Sequence, residues 1–246
     1  MTNLKPVALA ALLLLLGGCA STAGTRVKSD PWEPMNRSVY RFNDAVDRAA
    51  LKPAAKAYVK VTPKPVRTGV SNFFQNLSTP TTIVHSLLQG KFVGAGQDTL
   101  RFLINTTLGW GGVLDVASGA HLPVHNEDSG QTLGRWGVPA GPYLVLPFLG
   151  PASLRDAPAR IADDFTRPLH WYDNEAANWG SVALNALDAR SRFLPLEDTL
   201  SQAYDPYAFI RDAYLAQRRF QVYDGDPPEE PIEDESGLED EEPAAP

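Results

Sequence analysis

The chain has four histidines, His85, His121, His125 and His170, and only His121 and His125 have a ligand-like spacing. Two histidines four residues apart hold a metal when a helix puts both rings on one face. Pro123 lies between them and breaks that helix. Glu127 and Asp128 add oxygen donors, but polar loops of this kind are ordinary surface features, so no metal ligand is assigned. Nucleophilic chemistry has no better footing: there is no G-x-S-x-G elbow and no phosphate-cradling loop, and Gly94-Ala95-Gly96 lacks the third glycine of a dinucleotide turn. Asp163-Asp164 and Asp173 with Glu175 read most simply as charges at helix ends. No catalytic residue and no cofactor is expected, and the chain reads as a non-enzyme. One cysteine, Cys19, excludes an internal disulfide, a cysteine-based zinc site and an iron–sulfur cluster.

Cys19 has a different chemistry in prospect. It comes after Lys5, an apolar run from Val7 to Leu16, and Gly17-Gly18. Ten apolar residues fall short of the roughly 20 that span a bilayer, so residues 1–18 read as an export signal. Leu16-Gly17-Gly18-Cys19 resembles the lipobox of bacterial lipoproteins. That resemblance implies a diacylglyceryl group on the Cys19 thiol, an N-acyl chain on its new amino terminus, and, with Ala20 rather than Asp next in the chain, transport to the outer membrane. Two or three acyl chains, at about 0.8 kcal/mol per buried methylene, make attachment effectively permanent.

The charge balance separates tail from body. Of 29 acids, 11 lie between Asp224 and Pro246, where there is no base, leaving 18 acids against 22 bases before them. Residues 224–246 are expected to be a disordered acidic tail, residues 19–29 a lipidated tether, and residues 30–223 a single folded domain. In that domain Asp30-Pro31-Trp32-Glu33 looks like a capping box opening a helix. Pro53, Pro63 and Pro65 cut the next stretch of chain into short pieces, and Pro80 opens another helix, ended by Gly90. A longer helix runs from Phe92 to Leu108, stopped by Gly109-Trp110-Gly111-Gly112. Residues 118–133 read as loop, 175–192 as helix, and Asp205-Pro206-Tyr207 starts a last helix reaching Tyr223, with Gly225 beyond its end. Strand alternation is nearly absent, so the fold class is all-α, built from amphipathic helices.

Two stretches stand apart. Residues 134–150 are apolar but carry four glycines and three prolines, which forbid a continuous helix and point to an irregular hairpin. Such a segment lies against lipid or plugs the protein's own core. From Arg37 to Arg67 there are eight bases and two acids. This favours anionic headgroups beside a lipid anchor, the other reading being a solvated helical face. Nucleic acid is not an expected partner of an exported lipoprotein.

The residues together resemble the VacJ/MlaA family of outer-membrane lipoproteins. The family-like segments are Asp30 to Arg37 with Tyr40 to Asn43, Gly69 to Phe73 with Asn76-Leu77, Arg101 to Thr106, Gly109 to Gly112, Gly141 to Pro147, Gly150-Pro151, Leu154 to Asp156, and Asp205 to Tyr207 with Arg211. The resemblance implies a ring of amphipathic helices lying in the membrane around an amphipathic channel, embedded from the periplasmic side. The channel would take phospholipids that have strayed to the outer leaflet and pass them to a soluble periplasmic lipid carrier, alongside a trimeric porin. It also implies that the 134–150 hairpin gates the channel. Gly134, Gly137, Gly141 and Gly150 would give it freedom, with Gly137 and Gly141 as hinges, and Leu144, Val145, Leu146 and Phe148 would touch acyl chains. Arg37, Arg41 and Arg48 are the expected headgroup contacts. The alternatives are a porin-associated structural lipoprotein without transport activity and a lipid-modifying enzyme. The long acidic tail departs from the family pattern.

Overall fold

The structure, a computed structural model, describes residues 28–166, 168 and 173–229. The expected signal, Cys19, His170 and the tail from residue 230 lie outside the described residues. The order is α1 (Glu33–Val46), a π-helical stretch (Asp47–Leu51), α2 (Lys52–Val61), α3 (Lys64–Leu88), α4 (Phe92–Thr107), α5 (Val116–Gly119), α6 (Ser129–Arg135), β1 (Tyr143–Leu146), β2 (Gly150–Ser153), α7 (Asp156–Thr166), α8 (Glu175–Phe193), a 3-10 turn (Leu194–Leu196), α9 (Glu197–Gln202) and α10 (Pro206–Val222). The fold is helical, as the pattern predicts, with one antiparallel hairpin that pairs Tyr143 with Ser153 and Leu146 with Gly150.

Proline position explains why the first half is less chopped than expected. Pro53 and Pro65 sit in the first turns of α2 and α3, where a missing N–H leaves nothing unsatisfied. The π-helical stretch carries α1 into α2 without a break, so the chain bends only at Thr62-Pro63, whose backbones are extended (ψ 117° and 147°). Pro80 does not open a helix but lies inside α3. Residues 118–133 are not all loop: α5 ends in them and α6 begins there, capped by Asp128, which accepts from Gln131 N. Asp30 caps nothing. Trp32 holds the N-cap position without a side-chain bond, and Asp30, 1% exposed, turns inward to the C-terminal helix.

Packing contacts close a circuit: α1 through the π stretch to α2, α2 to α8, α8 to α3, α3 to α6, α6 to α10, α10 to β2, β2 to β1, and β1 back to α1, with α4 packed on α3 and α7 on α6 beside it. The ends of the body are sewn together. Tyr207 of α10 donates its hydroxyl to Asp30 (2.5 Å), Arg211 lies 3.6 Å from the same carboxylate, and Arg37 of α1 grips Asp205 ahead of α10 (3.1 and 2.5 Å).

The distribution of side chains is inverted relative to a water-soluble domain. Among the described residues, 20 buried residues are polar or charged and 10 are apolar, whereas 33 large apolar side chains are exposed. Some of them form stripes: Val84, Leu87 and Leu88 on α3, and Phe92, Leu100 and Leu103 on α4. Apolar area on this scale and in rows is a surface for another apolar phase. No helix among the described residues is long and apolar enough to cross a membrane.

Candidate functional site

The hairpin rests on α1 through two asparagines seven residues apart, hence on one helical face. Asn36 is fully buried. Its Nδ2 donates to Tyr143 O (2.9 Å) and Asp30 Oδ1 (2.8 Å), and its Oδ1 accepts from Val145 N (2.9 Å). Asn43 repeats the arrangement two turns on, donating to Leu146 O (2.9 Å) and accepting from Phe148 N (2.8 Å). An amide side chain carries one donor end and one acceptor end, so each asparagine pairs with the free edge of β1 as a neighbouring strand would. Tyr143 N completes the edge by donating to Ser29 O (2.8 Å).

Alternation within β1 then decides which side chains face where. Tyr143 and Val145 are buried and pack with Val39 and Tyr207, while Leu144 and Leu146 on the other face are half-buried. Val145 is therefore a core residue, not the acyl-chain contact expected from sequence. At the tip Phe148 is 73% exposed and meets Phe42 of α1 edge to face at 5.2 Å. From the opposite side Arg160 of α7 donates to Leu149 O (3.3 Å) and Pro151 O (2.7 Å).

The four glycines of the segment divide in two. Gly137 and Gly141 have φ of +90° and +68°, backbone that a Cβ disfavours, and they flank the entry to β1. Gly150 (φ +74°) starts β2. Gly134 is not a hinge: it lies within α6, where a Cβ would sit 2.6 Å from Arg155 Nη1 and 2.9 Å from Val222. It is glycine so that helix and neighbours can approach.

Beneath the hairpin base lies a buried ion network. Arg155 holds Asp156 (2.8 Å) and Val138 O (3.2 Å), Arg218 joins Asp156 (2.8 Å) to Asp128 (2.5 Å), and the Tyr214 hydroxyl donates to Asp156 (2.7 Å). Burial alone would raise the Asp156 carboxyl, but the hydrogen bonds from Arg155 and Arg218 outweigh it and hold it at about 2. Asp128, opposed by the same burial and favoured by Arg218, is also lowered. A cavity of about 270 Å³ between α6, α7 and α10 is lined by Asp128, Asp156, Asp163, Arg160, Arg218 and Tyr214 among others. Its charged walls do not suit an acyl chain.

Most of the other residues singled out in the sequence have partners within the fold. Arg37 is bound by Glu33 and Asp205 and lies 4.3 Å over the Tyr207 ring. Arg48 holds Asp44, whereas Arg41 touches Ser38 Oγ at 3.2 Å and pairs with no carboxylate among the described residues. His121 and His125 do not converge: His121 sits in a left-handed turn (φ +56°) and His125 faces Asp98 at 3.1 Å. Glu127 pairs with Lys91 (2.8 Å). Asp163 lies in the last turn of α7, as expected, but is buried, accepting from Ser129 N (3.0 Å) and Ser129 Oγ (2.5 Å), with His85 at 3.1 Å. Asn36 and Asn43 were not singled out as site residues, although both lie in the family-like segments.

A family model described as MlaA lipoprotein matches residues 28–221 of the chain. The chain is 37% identical over 223 residues to the intermembrane phospholipid transport system lipoprotein MlaA of Escherichia coli (strain K12), covering 89% of this chain and 88% of that one. It is 34% identical over 220 residues to the protein of the same name from Haemophilus influenzae, covering 86% and 88%. A solved chain described by the words "Structural basis for maintenance of bacterial outer membrane lipid asymmetry" superposes with a TM-score of 0.71 at 34% identity, covering 79% of this chain and 99% of that one.

Proposed function

The chain belongs to the MlaA lipoprotein family, and from that premise we propose that it removes misplaced phospholipids from the outer leaflet of the outer membrane. The lipids pass through a channel bounded by the circuit of helices to a soluble periplasmic carrier, beside a trimeric porin. It works as a passive transport component and not as an enzyme. The observation that carries this reading is the inverted distribution of side chains: apolar stripes outward, toward acyl chains, and polar groups inward, where a headgroup finds partners. A conduit without an energy source only equilibrates lipid between its ends, so direction belongs to the carrier and what lies beyond it. In this reading Cys19 carries the anchoring lipid and the hairpin is the gate. Its mobile part is the Gly137–Gly150 segment, with Leu144, Leu146 and Phe148 toward acyl chains.

The test is a deletion strain assayed for phospholipid on the cell surface. Deletion raises surface phospholipid, the wild-type chain lowers it again, and Cys19→Ala, retained at precursor mass, does not. Unchanged surface phospholipid on deletion, with altered porin organisation, would replace this reading with the structural one.

A further inference from the structure

We propose that the outward face of α2 and the first turn of α3 dock onto the phosphates of anionic phospholipid in the leaflet that holds the protein. From Arg48 to Gln97 the chain carries seven lysines and arginines and no acid. Lys52, Lys56, Lys60 and Lys64 recur every fourth residue. The first is neutralised within the fold, since Glu197 of α9 lies 2.8 Å from Lys52 Nζ. Among the described residues no carboxylate pairs with Lys56, Lys60 or Lys64, and all three are exposed. Like charges at i and i+4 repel, and Lys64 places a cation at the positive end of α3. With nothing opposite them, both features destabilise the fold slightly, and anions in front of the row would offset both.

The neighbouring residues say which anion. At about 100° per residue, Lys52, Lys56 and Lys60 occupy about 80° of the α2 circumference. The adjoining sector holds Pro53, Ala54, Ala57 and Val61, all exposed. Val61 is 75% exposed, and Val66, just past the bend, is 54% exposed. A lysine row along the edge of an apolar sector is the pattern of a helix lying in a headgroup layer, with apolar side chains among the first methylenes and ammonium groups extended to the phosphates. An acidic protein surface would match the lysines and leave the apolar sector in water. Each lysine near an anionic surface strengthens association roughly fivefold.

The inference rests on the membrane placement proposed above, and its test separates the two. The full-length lipidated protein is reconstituted into phosphatidylethanolamine vesicles with or without phosphatidylglycerol, carrying an environment-sensitive fluorophore on Val61→Cys or, separately, on Leu100→Cys of the α4 stripe. We expect the Val61 probe to be shielded from an aqueous quencher only with phosphatidylglycerol, less so as salt rises, and not at all in the Lys56→Gln/Lys60→Gln/Lys64→Gln variant. The Leu100 probe should be shielded in every case. If the Val61 probe responds equally in both vesicles, or if removing residues 230–246 abolishes its lysine dependence and so assigns the row to the acidic tail, this inference is overturned and membrane placement stands. An unshielded Leu100 probe throughout would overturn both.

Discussion

At Asp156 a single carboxylate ties α7 to α10 at the foot of the hairpin. Held at about 2 in the fold against an ordinary value near 3.8, it contributes stability that is complete above the ordinary value and disappears as pH falls through the folded one. The contribution is on the order of 2 kcal/mol. The expected outcome is a melting midpoint that drops as pH falls from about 4 to about 2, because Arg155 and Arg218 then lose the charge they hold. Asp156→Asn should start from a lower midpoint at neutral pH and show a flatter profile over that window. A wild-type midpoint no more acid-sensitive than that of the variant would mean that the network is spectator. None of this is legible in the sequence. The Leu154-Arg155-Asp156 run stands in a family-like segment, but that its partners are Arg218 and Tyr214 depends on a contact some 60 residues away.

Among the elements, those most legible in the sequence had both a strong period and a hard stop. The helix expected at Phe92–Leu108 ends at Thr107, before its glycine cluster, and Asp205 caps α10 through bonds from Tyr207 N and Ala208 N. The short α6 was hidden, because Ser-Gly-Gln-Thr-Leu-Gly-Arg has little helical propensity and is held by Asp128 and by burial. The seating of the hairpin was hidden for a related reason: Asn36 and Asn43 are polar residues on a buried face, and a search for apolar periodicity passes over them. That seating sets the next prediction. If the hairpin is a gate, its rest position depends on Asn43, whose side chain holds both Leu146 O and Phe148 N. Asn43→Ala should free the tip by removing the partner of both Leu146 O and Phe148 N, and should change the rate of phospholipid removal. A short bifunctional thiol reagent joining Phe42→Cys to Phe148→Cys should pin the tip and block removal while leaving folding and porin association intact. Removal at the normal rate by both the released and the pinned chains would reduce the hairpin to a fixed wall.

Over the whole molecule, the question is which medium the sequence was selected to fold in. In water the hydrophobic effect puts large apolar side chains inside; here many polar groups are buried and many large apolar side chains are exposed. Many of the buried groups pair with one another. Arg101, 5% exposed, donates to Leu122 O and Asp115 and reaches Ser118 Oγ, which ties α4 to the turns around α5. The inversion predicts that the usual rule of substitution is reversed as well. Arg101→Leu adds an apolar group inside but takes one donor from each of Leu122 O, Asp115 and Ser118 Oγ, and should lower stability in detergent by about 3 kcal/mol. Leu100→Ser with Leu103→Ser removes apolar groups from outside, where about half of each side chain is exposed. It should leave the stability in detergent within about 1 kcal/mol of the wild type while weakening retention in lipid. Thermal unfolding in detergent micelles, read beside flotation with vesicles, separates the two effects. If the serine pair unfolds the chain and the leucine is tolerated, those rows are core rather than surface, and the molecule is an ordinary water-soluble domain on a lipid tether.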